Sequence, residues 1–159
     1  MTAELPAEPW REHGWTPHTQ ILLSSYRRWL GHDLLAVGES VEEAARALFE
    51  APFVVVSHGK QSDPILNYAN RTALQLWEID IPRLLETPSR LTAEPLHRDE
   101  RARLLERTTR DGYVDDYRGI RISTTGRRFQ IERAIVWNLV DASGQHVGQA
   151  ATFATWTPL

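Results

Sequence analysis

The sequence contains no cysteine among its 159 residues. That excludes disulfides, thiol nucleophiles, thiolate metal sites and a cysteine-linked flavin. There is no basic excess: the formal net charge is −3, so a chain built to hold nucleic acid is not expected. No run approaches the roughly 18 apolar residues of a membrane span, and Met1 to Pro9 holds no apolar signal-like core. No internal repeat, low-complexity segment or long linker is visible. The histidines at 13, 18, 32, 58, 97 and 146 form no paired metal motif, and neither a phosphate-cradling glycine loop nor a Gly-x-Ser-x-Gly elbow occurs. No metal is expected. A haem is not expected either, and His97 is the position for an axial ligand if one were held. The expectation is a soluble cytoplasmic protein.

What is present reads as one domain over residues 16–159, preceded by an extension over 1–15 in which Trp10 or Trp15 should dock on the rest. Thr16-Pro17 predicts a helix start, and Leu22, Leu23, Tyr26, Trp29 and Leu30 fall on one helical face before Gly31. Such a stripe packs inward or serves a dimer contact. Ser40-Val41-Glu42-Glu43 forms a capping box for a second helix that Pro52 stops. Phe53 to Val56 predicts a strand buried on both faces. A polar turn from His58 to Asp63 leads to a second strand, Ile65 to Ala69, and Asn70 caps the helix carrying Trp77.

A loop from Pro88 to Pro95 precedes a charged helix from Arg98 to Arg110, read as a solvated face with Asp99–Arg103 and Glu106–Arg110 pairs. Three strands complete the chain: Tyr113 to Ser123, Arg127 to Leu139 and His146 to Trp156. Arg133 shares the parity of Phe129, Ile131, Ile135 and Trp137, which predicts a bulge or a charged residue on a partly covered face. Helices set apart from an antiparallel sheet make an α+β domain.

The stretches Ser57-His58-Gly59, Asp63 to Asn70, Ala73-Leu74-x-Leu76-Trp77, Pro88 to Pro95, Tyr117 to Ser123 and Gly126-Arg127-Arg128-Phe129 resemble the MEKHLA domain, a PAS-like family. The resemblance spans about residues 10–156. It implies a five-stranded antiparallel sheet with helices over one face and a ligand cleft between them. Members occur as stand-alone bacterial proteins and at the C-terminus of plant homeodomain–leucine zipper regulators. This chain has none of the plant proteins' other parts, so direct DNA binding does not carry over.

The candidate ligand-binding residues are His58, Asp63, Asn67, Tyr68, Trp77, Arg90, Arg121 and Gln149. His58 and Asp63 flank one turn, either as an acid–base pair or as a carbonyl-bonded histidine and a turn cap. Strand alternation requires one of Asn67 and Tyr68 to face the cleft. Trp77 is core or an aromatic cleft wall. Arg90 suits a carboxylate or phosphate, or pins its loop through an ion pair. Arg121 could pair across strands with Glu132. Gln149, beside small residues, could meet a ligand.

The leading expectation is a sensory or regulatory module that binds a small molecule and self-associates. One alternative is a small enzyme using His58, Asp63, Arg90 and Arg121 on an anionic substrate, which requires their convergence. The other is a dimerisation module built on the N-terminal helix and the outer sheet face.

Overall fold

The computed structural model describes residues 4–36 and 40–159; the first three residues of the expected extension lie outside this range. Among the described residues, six strands form one antiparallel sheet: β1 (Val54–His58), β2 (Leu66–Ala69), β3 (Tyr113–Ile122), β4 (Arg128–Val140), β5 (His146–Phe153) and β6 (Thr155–Pro158). The order is β2-β1-β5-β4-β3, with β6 also on β4. The single long final strand expected from sequence is broken at Ala154. β5 and β6 are its two parts, pairing with different stretches of β4.

Helices cover both faces. On the outer face lie α1 (Pro9–Glu12), α2 (Trp15–Leu30) and α3 (Val41–Phe49). On the inner face lie α4 (Arg71–Trp77), α5 (Ile81–Leu84), a 3₁₀ turn (Ser89–Thr92) and α6 (Pro95–Asp111). β1 sits between the layers and is apolar on both sides: Val54 and Val55 are both fully buried.

Trp10 and Trp15 are both buried, meeting Phe49 at ring separations of 5.8 and 6.2 Å. Such aromatic clusters bury much area, which explains why a Pro- and Glu-rich segment folds back. α2 starts at Trp15, with Gly14 rather than Thr16 at the cap, in a left-handed conformation. Tertiary contact decides this start: the Trp15 indole donates to the Asn67 carbonyl at 3.0 Å, and the Thr19 hydroxyl donates back to the Trp15 carbonyl. The stripe on α2 packs inward through Leu22 and Tyr26, and the Trp137 indole of β4 donates to the Leu22 carbonyl. This chain's own helices therefore occupy the outer sheet face that a dimerisation module would need.

Ser40 caps α3, accepting from the Glu43 amide at 3.0 Å. Asn70 does more than cap. Its Oδ1 accepts from the Ala73 and Val55 amides, and its Nδ2 donates to the Leu48 and Phe53 carbonyls. One fully buried side chain thus joins α3, β1 and α4.

The parity break at Arg133 is a bulge. Arg133 is exposed with φ 53°, and buried positions shift from Phe129 and Ile131 to Ala134 and Val136. A second irregularity at Asp116, φ 55°, lies opposite in β3. The two re-aim Tyr117 and Arg121. On α6, Arg110 pairs with the adjacent Asp111 rather than with Glu106.

Candidate functional site

The sheet and its inner helical cover enclose a cleft with two lobes. The smaller, about 60 Å³, is lined by His58, Ser89, Arg101, Tyr117, Arg121 and Gln149 above an apolar floor that includes Ile131 and Phe153. The larger, about 330 Å³, lies under α4 and α5 and is mostly apolar, with Ala73, Ile79, Leu84 and Ile122 in its wall. Val56, Leu66, Trp77 and Thr92 line both lobes, so the two adjoin. Exposed Arg83 and Glu86 mark the larger lobe's rim.

His58 ends β1 on the inner side. Its Nδ1 lies 2.9 Å from the Gly59 carbonyl. A carbonyl only accepts, so the proton sits on Nδ1 and Nε2 carries a lone pair. Nε2 is buried without a hydrogen-bond partner. Burial pushes the imidazole down to about 4, with the Arg101 charge adding to the effect, so His58 is neutral at pH 7. Gly148 of β5 lies against the His58 carbonyl where a Cβ would collide; only glycine allows β1 and β5 this approach.

Trp77 closes the junction of the lobes. Its ring stands edge-on to Phe129 and Phe153, at 5.3 and 6.1 Å, and its indole N–H has no acceptor.

Arg121 enters from β3 and is 5% exposed. One nitrogen donates to the Ile120 carbonyl, and another donates to the Tyr117 hydroxyl at 3.2 Å. That hydroxyl in turn donates to Glu100 at 2.8 Å. Gly119, between them, leaves the space where the Tyr117 hydroxyl lies. The pairing with Glu132 expected from sequence does not form. Arg121 stands opposite Phe129, and Glu132 opposite Thr155; the bulges set this register.

Gln149 faces α6. Its amide nitrogen is 3.0 Å from the Leu105 carbonyl, the Thr109 hydroxyl and the Asn138 side-chain oxygen. Asn138 donates to the Thr108 and Thr109 carbonyls. These two amides tie the last turn of α6 to the sheet.

The other four candidates lie elsewhere. Asp63 and Arg90 form an exposed ion pair at 3.2 Å, the loop-pinning alternative for Arg90. Asn67 and Tyr68 both point to the outer face. Ser57 pairs with Tyr68 and His58 with Leu66, so Asn67 is an extra residue in β2 and alternation fails there. Asn67 Oδ1 accepts from the Ser57 hydroxyl, which also meets His18 Nε2 at 2.9 Å. Tyr68 packs on the Trp15 and His18 rings. The set required for acid–base chemistry therefore divides: His58 and Arg121 share a lobe, while Asp63 and Arg90 sit on an outer turn. His97 lines neither lobe.

Sequence reasoning missed Arg101. In the run Arg98 to Arg110 it looks like one more solvated charge. Yet it turns under α6, donates to the buried Ser89 hydroxyl at 2.8 Å and lines the small lobe. Burial and the neighbouring Arg121 charge pull its pKa down to about 10. The available signal was the helical period: Arg101 lies three residues before Leu104 and seven before Thr108, the two buried positions of α6.

A family model for the MEKHLA domain matches residues 16–158. The chain belongs to the MEKHLA domain family. Solved structures with the same fold include the PAS domain of a Colwellia psychrerythraea protein, with a TM-score of 0.61 at 14% identity over 70% of this chain and 92% of that one. A light-oxygen-voltage domain studied with a flavin analogue gives 0.57 at 16% identity, over 72% and 83%. The light-state dimer of the fungal blue-light photoreceptor Vivid gives 0.55 at 12%, over 82% and 91%. No curated protein matches the chain. This MEKHLA chain thus has a PAS-like fold. No helix among its described residues is long and apolar enough to cross a membrane.

Proposed function

We propose that this MEKHLA protein is a cytoplasmic sensory module, formed by residues 16–159, that binds a small molecule in the cleft between the sheet and α4–α6. The observation that carries the reading is the cleft wall. Two residues of that wall, His58 and Trp77, carry buried polar atoms, Nε2 and the indole N–H, that have no hydrogen-bond partner in the protein. Buried polar groups are normally satisfied, and small-molecule sites combine an apolar wall with a few convergent polar groups.

Ligand contact with Arg101 and with the Gln149–Asn138 pair would reach α6 directly. A ligand that binds one position of α6 better than another shifts the population of the two. Self-association belongs to the same reading, since Vivid, a protein of the same fold, forms a light-state dimer.

The test is native mass spectrometry of the purified protein, combined with amide chemical-shift mapping against a small-molecule library. The expected result is an adduct, or shifts clustered on β1, β5 and α6, both abolished by Ala151→Phe in the small lobe. A library hit that maps to the outer face, or one unaffected by Ala151→Phe, overturns the reading.

A further inference from the structure

Among the charged residues of the small lobe, the signs do not balance. Its wall holds Arg101 and Arg121 beside the neutral His58, and no carboxylate. Neither arginine has an ion-pair partner among the described residues, whereas eight other arginine–carboxylate contacts form elsewhere in the chain. Those contacts lie on exposed or half-exposed side chains, where pairing is worth little. Arg101 and Arg121 thus line a cavity with no carboxylate in its wall to pair with.

The two arginines line the same small lobe, and the Arg121 charge helps to lower the pKa of Arg101. Glu100 is the carboxylate linked to this pair, through the Tyr117 hydroxyl. Tyr117 thus stands between the acid and the lobe. Ser89 holds Arg101 from below through a buried hydroxyl, and Tyr117 and the Ile120 carbonyl hold Arg121. Both forks are therefore positioned by neutral groups, with N–H donors to spare.

We propose that the cleft takes an amphiphilic organic anion. Its carboxylate or phosphate head sits between Arg101 and Arg121, and its apolar body passes Trp77 into the larger lobe toward Leu84 and Leu91. This rests on the reading of the cleft as a small-molecule site. The dimensions agree. A lobe of about 60 Å³ holds a group the size of about two waters, which suits an anionic head and excludes a bulky one. The adjoining lobe of about 330 Å³ suits a short alkyl chain or a single aromatic ring. Guanidinium forks match carboxylate and phosphate oxygens in pairs, and an anion between them offsets the cost of burying two like charges. His58 Nε2, an acceptor, favours a ligand that also carries a hydroxyl or amine near the head.

Isothermal titration of the whole protein with octanoate, octyl phosphate and octanol tests this. At least one of the two anions should bind about tenfold or more tightly than octanol, a ratio in keeping with a charge-assisted fork. The better anion identifies the head group. Arg101→Gln and Arg121→Gln should each remove that advantage, bringing the anion down to the affinity that octanol shows for the same variant. Arg103→Gln, on the exposed side of the same helix, should change nothing. If Arg121→Gln does not fold, Arg101→Gln carries the test, since that side chain is only half-buried.

Octanol binding as tightly as both anions, or anion binding indifferent to both substitutions, overturns the anion assignment. If octanol binding in that case is still blocked by Ala151→Phe, the cleft remains a small-molecule site and only the ligand class is wrong. If no probe binds, the anion assignment falls, and library mapping decides the cleft separately.

Discussion

Ser57 and His58 are neighbours in β1, yet they belong to two differently built sides of one sheet. On the outer side the polar groups close on each other. Ser57 links Asn67 and His18, and the Trp15, Trp29 and Trp137 indoles each donate to a backbone carbonyl. The Tyr68 hydroxyl is the exception. On the inner side the Trp77 indole has no acceptor, His58 Nε2 has no donor, and two arginines face a cavity without a counter-charge. Residue types are similar on both sides. What separates a packing layer from a candidate binding layer is whether the buried polar groups find partners, not how many there are.

The largest expected effect lies at Asn70, on which both sides hang. Asn70→Ala removes four hydrogen bonds, three of them buried, and leaves backbone groups of β1 and α3 without partners. Urea unfolding should show a loss of roughly 3–5 kcal/mol. A loss below about 1 kcal/mol would mean the layers are held independently.

The comparison itself is tested by one substitution made twice. Trp15→Phe deletes a made hydrogen bond and should destabilise by about 2 kcal/mol. Trp77→Phe deletes an indole N–H that has no protein acceptor, so its loss should stay below about 1 kcal/mol. Equal losses in the same unfolding assay would break the contrast.

Acid sharpens it next. The folded His58 imidazole is held near 4, below its ordinary 6.5. Between these values the unfolded chain binds more protons, so stability falls as pH drops below 6.5 and is unaffected above it. The loss from His58 should be about 1 kcal/mol by pH 5.5. Burial holds His18, on the outer side, down to about 4 as well. Unfolding curves from pH 4.5 to 7.5 should therefore become shallower on the acid side in either His58→Gln or His18→Gln. For His58, an anion bound beside it should weaken the acid loss, whereas His18 should not respond to ligand.

The smallest effect belongs to Asp63→Asn. Its partner Arg90 is exposed, so thermal melting should register less than about 0.5 kcal/mol, and octanoate titration should register no change.

Most of the fold could be read in advance because it follows from local patterns. The cap at Ser40, the stop at Gly31, the strand from Phe53 to Val56 and the parity break at Arg133 rest on residues close in sequence. The start of α2 could not, because Trp15 is anchored by Asn67, distant in the chain.

The site was legible only in part. His58, Trp77, Arg121 and Gln149 carry type and position enough to be singled out, and the structure gathers them around one lobe. Asn67 and Tyr68 went to the outer face because one extra residue in β2 reverses the side on which its neighbours point. Arg101 was hidden because a charged helix gives each arginine the same local context.

By itself the sequence determined the element order, the α+β class, the family and the absence of thiol chemistry, all consequences of residue identity and short-range spacing. Only the tertiary structure decided which charges are paired. It set Arg90 against Asp63 on the surface and left Arg101 beside Arg121 inside. A charge's partner depends on register, bulges and layer packing, and these bring together residues that no local pattern connects.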